Sequence, residues 1–391
     1  MKRITQAFTR CVACSLSGLM LGLAAPAAEN PPGQPAPSNV AGREYPRILP
    51  DLRVVFRLKA PNAQEVLVAP KGKDNGLGPE PFPMQRDSNG VWEVTTPPVR
   101  PGFHYYELVV DGLRLNDPNS ETFFGWGQPT SGLEVPDPQL DFYHAKEVPH
   151  GEVRAFFYHS KITGTLRRAF VYTPPAYERM AGQRFPVLYL QHGAGESERA
   201  WSVQGRVNFI LDNLIAARKA KPMIVVMDNG YARPAGSTNT PGSRGTEAFG
   251  QVLMLELIPL IDVNYRTLPD RRHRALAGLS MGAGQALQVG LANLDAFGWI
   301  GAFSGGFRDF KPAESYGGIF RDAPRLNNHL RLLWLSMGRA DPGYEAMKNA
   351  HLLLDDAHVR HVWFETEDAH EWQAWRKHFY EFAQRLFKDS K

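Results

Sequence analysis

Cysteine is almost missing from this chain of 391 residues: only Cys11 and Cys14 occur, both within the first fourteen positions. No disulfide framework, thiol nucleophile or cysteine metal site can serve the rest of the chain. Charge of one sign is scarce too. The formal net charge is +4, from 44 Lys+Arg against 40 Asp+Glu. Lys2, Arg3 and Arg10 fall within residues 1–28, where no acid occurs, so the balance beyond them is 44 − 3 = 41 against 40. A near-neutral chain offers no electrostatic footprint for nucleic acid or an anionic membrane surface. Long apolar runs are limited to residues 11–25, short of the roughly 20 residues a spanning helix needs. No internal repeat is present. The H-E-x-x-H spacing is also absent: His370 is followed by Glu371-Trp372, and Asp368 with His370 makes no ligand set. Neither a metal nor another cofactor is expected.

What is there divides along the chain. The basic start, the apolar run 11–25 and the small-residue stretch Ala25-Pro26-Ala27 predict a secretory signal over residues 1–28, cleaved after Ala27 or Ala28. Cys14 sits inside the apolar run, not after it, which argues against a lipoprotein anchor. Residues 29–44 are Pro-rich and polar and predict a tether. Residues 45–145 predict a small all-β, immunoglobulin-like sandwich. Short β-prone runs at 54–58, 65–69, 90–95 and 103–112 alternate with Pro- and Gly-rich gaps, and Asp111-Gly112 is a hairpin signal. Over residues 146–391 the pattern changes. Apolar runs at 168–174, 186–193, 223–230, 274–280, 300–305 and 332–338 alternate with helical stretches at 208–220, 249–265 and 282–294. That alternation predicts an α/β fold with a mainly parallel sheet covered on both faces. Residues 231–247 are Gly-, Pro- and Ser-rich and predict a loop beside the site.

The chemistry centres on Gly278-Leu279-Ser280-Met281-Gly282, a G-x-S-x-G motif between an apolar strand and a helical pattern. That context is the nucleophile elbow of an α/β-hydrolase fold. A serine nucleophile needs a base, and the base needs an orienting carboxylate, in the chain order Ser, acid, His. Of the downstream histidines, His351 and His358 read as surface of a helical stretch and His378 lies within the last helical pattern. His370 sits in the loop between the strand-like 362–366 and that helix, and is the expected base. Asp341, after the run 332–338, is the leading acid; Asp355, Asp356, Glu367 and Asp368 compete. Backbone N–H groups of Met281 and Ala194 are the expected oxyanion donors, the latter from the loop after the strand 187–191. His192 reads as a scaffold residue beside that loop. Trp201, Phe307 and Tyr316 are candidates for an aromatic acyl pocket, and each could equally be packing.

Taken in order, RRAFVYTPPAYE (167–178), VLYLQHGAGESERAW (187–201), LAGLSMGAGQAL (276–287), SMGRADP (336–342) and AHEWQAWRKHFYEF (369–382) resemble the esterase group that includes carbohydrate esterase family 1. Its members are feruloyl and acetylxylan esterases and, more distantly, enterochelin esterases and mycolyltransferases. The resemblance covers residues 148–391. It implies Ser280, Asp341 and His370 as the triad and Ala194 and Met281 as the oxyanion positions. Residues 50–118 resemble a family-48 carbohydrate-binding module, with Trp92 as its core tryptophan. Phe123, Phe124 and Trp126 lie in a loop-like stretch that packs on the catalytic region, shapes its cleft or stacks on a sugar. The implied activity is release of hydroxycinnamoyl groups from plant arabinoxylan, with a plant cell-wall polysaccharide or oligosaccharide ester as the partner. Acetylxylan is the second possibility. A trilactone siderophore is the third, kept open by Arg199, Arg233 and Arg244. A non-catalytic glycan-binding protein is the reading from outside the enzymes.

Overall fold

The computed structural model describes residues 32–72, 76–237, 246–307 and 309–388. The expected signal over residues 1–28 and Arg244 lie outside them. The amino-terminal region forms two antiparallel sheets. The first is built on β1 (Val54–Lys59), which pairs with the strand Val91–Thr95. That partner, Val91–Thr95, is β3; the second sheet is built on β2 (Val66–Pro70) paired with β4 (Gly102–Val110). It continues through the hairpin of β5 (Thr122–Gly125) and β6 (Gln128–Val135), whose β6 pairs with β4. The faces pack as the alternation of buried residues requires. Phe56 meets Tyr106 edge-on at 5.0 Å, and Trp92 is buried with its indole N–H donating to the Ala60 carbonyl at 2.9 Å. The loop-like stretch around Phe123, Phe124 and Trp126 is the first strand and turn of a hairpin here.

The carboxy-terminal region carries one eight-stranded sheet. Its strands are β7 (Glu152–Ser160), β8 (Thr165–Thr173), β9 (Val187–Gln191), β10 (Ile224–Asp228), β11 (Arg274–Leu279), β12 (Trp299–Phe303), β13 (Leu332–Gly338) and β14 (Val362–Thr366). The spatial order is β7-β8-β10-β9-β11-β12-β13-β14. The first two strands run antiparallel, and from β10 onward every pair is parallel. Strands β9 to β12 are buried along their whole length, as strands covered on both faces must be. The covering helices include α1 (Val207–Ala216), α2 (Met281–Ala292), α3 (Tyr344–Asp356) and α4 (Trp372–Ala383). A further helical run, 246–264, holds a π-helical middle segment at Val252–Leu257. The edge strand β7 was not expected, because its side chains are mostly exposed and carry little apolar signal.

Gly33–Lys391 forms one compact unit. Phe103, Tyr105 and Phe123 of the amino-terminal sheets share a single apolar core with Trp201, Trp372 and Phe379. A buried ion pair joins the same halves: both Arg376 Nη atoms donate to the Glu134 carboxylate at 2.8 Å. Burial works against the Glu134 charge, but Arg376 and Arg206 outweigh it and hold the carboxyl below its ordinary range. No helix among the described residues is long and apolar enough to cross a membrane.

Candidate active site

Ser280 stands on the turn between β11 and α2 with φ 52° and ψ −113°, a conformation that bulky L-residues avoid. Two glycines make the turn possible. A Cβ on Gly278 would lie 2.5 Å from the Gly282 backbone, and one on Gly282 would lie 2.6 Å from the His192 carbonyl oxygen. The turn places the Ser280 hydroxyl at the carboxyl ends of the parallel strands. There, His370 Nε2 lies 3.0 Å from Ser280 Oγ, and His370 Nδ1 lies 2.6 Å from Asp341 Oδ2. Asp341 is buried in the turn after β13, which ends at Gly338; its other oxygen accepts the Gly343 N–H at 2.8 Å. Trp375 meets the His370 ring edge-on at 5.2 Å and fixes its plane. The three residues singled out in sequence therefore converge.

The competing acids lie elsewhere. Glu367 is exposed and pairs with Arg339 at 2.8 Å, while Asp368 pairs with Lys377 at 2.9 Å. Asp356 ends α3. His192 Nδ1–H donates to the Gly193 carbonyl, and its Nε2 accepts the Gly230 N–H at 2.9 Å. Burial pushes this imidazole down to about 4, so it is neutral scaffold for the loop. Asp355 lies near His351 and His361, whose facing nitrogens are 2.8 Å apart. This group could gather around a cation, but none of its members lines the cavity at Ser280.

That cavity measures about 780 Å³. Ala194 and Met281 line it beside Ser280. Its apolar lining includes Phe307, Met337 and Met347, which share one core cluster, and Met281. The amino-terminal region contributes Lys71, Tyr105 and Trp126 to the lining, which also holds Glu196, Glu371 and Trp372. Of the three aromatic pocket candidates, only Phe307 lines the cavity. Trp201 does not: it is 1% exposed, donates its indole N–H to the Gln191 carbonyl at 2.8 Å, and packs edge-on against Trp372. Its place is the core beneath the site. Tyr316 stands one layer back, edge-on to Phe307 at 5.5 Å, with its hydroxyl donating to the Gly306 carbonyl. Arg199 and Arg233 are not among the lining residues.

Two carboxyls in the cavity wall were not expected. Burial drives Glu196 up to about 8, against the hydrogen bond from the Tyr105 hydroxyl at 2.9 Å. Burial likewise drives Glu371 up to about 7, against the nearby charge of Arg100 at 3.0 Å. Nothing local in GAGESE or HEW marks these acids, since their burial comes from sheets distant in sequence.

An eight-stranded α/β sheet with a serine elbow, an imidazole and a buried carboxylate in register is the framework of a carboxylic-ester hydrolase. A family model described as "Putative esterase" matches residues 160–386, and the chain belongs to that family. It is 37% identical over 360 residues to an endo-1,4-beta-xylanase/feruloyl esterase of Xylanibacter ruminicola, a match covering 90% of this chain and 47% of the relative. The chain thus spans about half the length of that curated relative. A CE1 ferulic acid esterase from Anaeromyces mucronatus, solved with ferulic acid, matches at TM-score 0.56 and 28% identity, covering 63% of this chain and 96% of its own. The enterobactin esterase of Shigella flexneri matches at TM-score 0.63 and 19% identity, covering 86% and 93%. At that identity the likeness concerns fold alone, and its coverage takes in part of the amino-terminal sheets.

Proposed function

We propose that this esterase is an exported serine hydrolase that releases hydroxycinnamic acids, ferulic acid foremost, from arabinoxylan of the plant cell wall. The observation that carries the catalytic part is the pair of distances from His370, 3.0 Å to Ser280 and 2.6 Å to Asp341, at a cavity whose lining includes Phe307, Met337 and Met347. Ser280 Oγ attacks the ester carbonyl while His370 Nε2 takes its proton. The oxyanion is received by the N–H groups of Ala194 and Met281. His370 then returns the proton to the departing sugar alkoxide, leaving the acyl group on Ser280. Water, deprotonated by the same imidazole, releases the acid. Asp341 holds Nδ1–H and stabilises the imidazolium.

The substrate class is supported by the feruloyl esterase relative and by the ferulic acid esterase structure. The cavity chemistry agrees: thioethers and Phe307 suit a flat aryl acid. Export is supported by the basic and apolar start of the chain. In this reading residues 45–145 form an accessory module fused to the catalytic region 146–391. A parallel panel of methyl ferulate, acetylated xylan and enterobactin tests the assignment. The highest kcat/KM is expected on the ferulate ester. Acetate release without ferulate release would overturn the acyl assignment.

A further inference from the structure

The turn between β5 and β6 is two residues long, because Gly125 pairs directly with Gln128. Its residues, Trp126 and Gly127, have φ of 57° and 78°. Two positive φ values define a type I′ turn, whose first position favours Asn, Asp or Gly. A tryptophan there is disfavoured by its own backbone. Burial does not offset the cost, for Trp126 is 60% exposed. Strain of this kind at an exposed aromatic points to use by a ligand.

The turn is held at the catalytic centre. The Gly127 N–H donates to the Gly195 carbonyl at 2.8 Å, and the Gly195 N–H donates to the Tyr231 hydroxyl at 2.6 Å. Gly195 directly follows the oxyanion residue Ala194. A Cβ on Gly195 would lie 3.1 Å from Trp126 Cα, so the hairpin tip and the oxyanion loop are in direct backbone contact. Trp126 lines the same cavity as Ser280, with its ring against Gly72, next to Lys71, and its backbone against Gly195, next to Glu196. An exposed indole flanked by polar groups suits a ligand with one apolar face and a rim of hydroxyls. A pentose carries hydroxyls around its ring, whereas a hydroxycinnamoyl group is flat, with its polar groups confined to one end of the ring.

We propose that the β5–β6 hairpin tip is the leaving-group subsite, in which the Trp126 indole takes the C–H face of the pentose that carries the ester. This deepens the arabinoxylan reading and rests on it. The amino-terminal region then supplies part of the active site itself.

The test is Trp126→Asn, which keeps the turn type and the Gly127 N–H while deleting the ring. The ratio of kcat/KM for a feruloylated arabinoxylo-oligosaccharide to that for methyl ferulate should fall about tenfold, the size of one aromatic contact. An unchanged ratio overturns the proposal. A second arm is independent of acyl preference: calorimetric binding of the deacylated oligosaccharide. Trp126→Asn should weaken it by a similar factor; equal affinity, or no binding to the wild type, overturns the subsite. A wild type that binds this sugar but releases no ferulate would overturn the feruloyl reading and leave the subsite standing.

Discussion

Glu134→Ala removes the anion that, among the described residues, is paired with Arg376 at the joint between the two regions. The guanidinium would keep the Gln204 carbonyl at 2.8 Å and the Tyr143 ring at 4.5 Å. Arg206, now 3.5 Å from the same carboxylate, would lose its partner as well. Arg376 is 1% exposed on its side chain and Glu134 3%, so water cannot replace the lost bonds. Breaking such a pair by deleting one member costs about 3–5 kcal/mol. At roughly 2 °C per kcal/mol for a unit of this size, Tm should fall by about 6–10 °C. Replacing both partners by apolar side chains, Glu134→Leu with Arg376→Met, should recover part of that loss, because the fully buried guanidinium is gone and only the partly exposed Arg206 is left without the carboxylate. Scanning calorimetry on the single and double variants measures both numbers. Unfolding should remain one transition, since a shared core joins the regions. A single-variant loss below about 1 kcal/mol, or a double variant no better than the single, would refute a desolvated clamp.

Other consequences follow from the site. Asp341→Asn should lower kcat by orders of magnitude, about 10⁴ by analogy with a serine protease, while Glu367→Gln should change it little; steady-state rates on methyl ferulate decide, and a reversed order would reassign the acid. Trp201→Ala should cost about 3–5 kcal/mol of stability as a fully buried aromatic and should leave the aryl-to-acetyl selectivity ratio unmoved. Glu196 is protonated in the fold up to about pH 8, above its ordinary 4.5. Its contribution to stability is therefore complete below about pH 4.5 and is lost as pH rises through 8. Glu196→Gln should flatten the decline in Tm across that window. A profile as steep as that of the wild type would place the decline elsewhere.

The site was legible where a local pattern carries the chemistry. Gly278 and Gly282 around Ser280, an apolar strand before them and a helix after them, leave little else for that segment to be. His370 could be chosen because it alone lies in the loop between a strand and the final helix. Trp201 shows the limit. Its position after the oxyanion loop suggested a pocket wall, but whether a ring turns to the cavity or to the core depends on Trp372 and Phe379, far away in sequence. The same holds for Glu196, Glu371 and Trp126. Their environments are created where the amino-terminal sheets meet the carboxy-terminal one, and no residue window contains both. The hairpin at 122–135 escaped notice because its turn breaks the residue preference on which turn recognition depends.

The central claim is that acyl transfer passes through Ser280. Intact-mass analysis after rapid mixing with a slowly deacylating hydroxycinnamoyl ester measures this directly, alongside Ser280→Ala. The wild type should gain one acyl mass, mapped by proteolysis to the peptide holding Ser280. The variant should gain none, keep the wild-type Tm to within a few degrees, and retain only the residual catalysis of roughly 10³–10⁴ over water that binding and the oxyanion donors provide. A folded Ser280→Ala protein that turns over at the wild-type rate, or an acyl group mapped to another residue, would contradict the account.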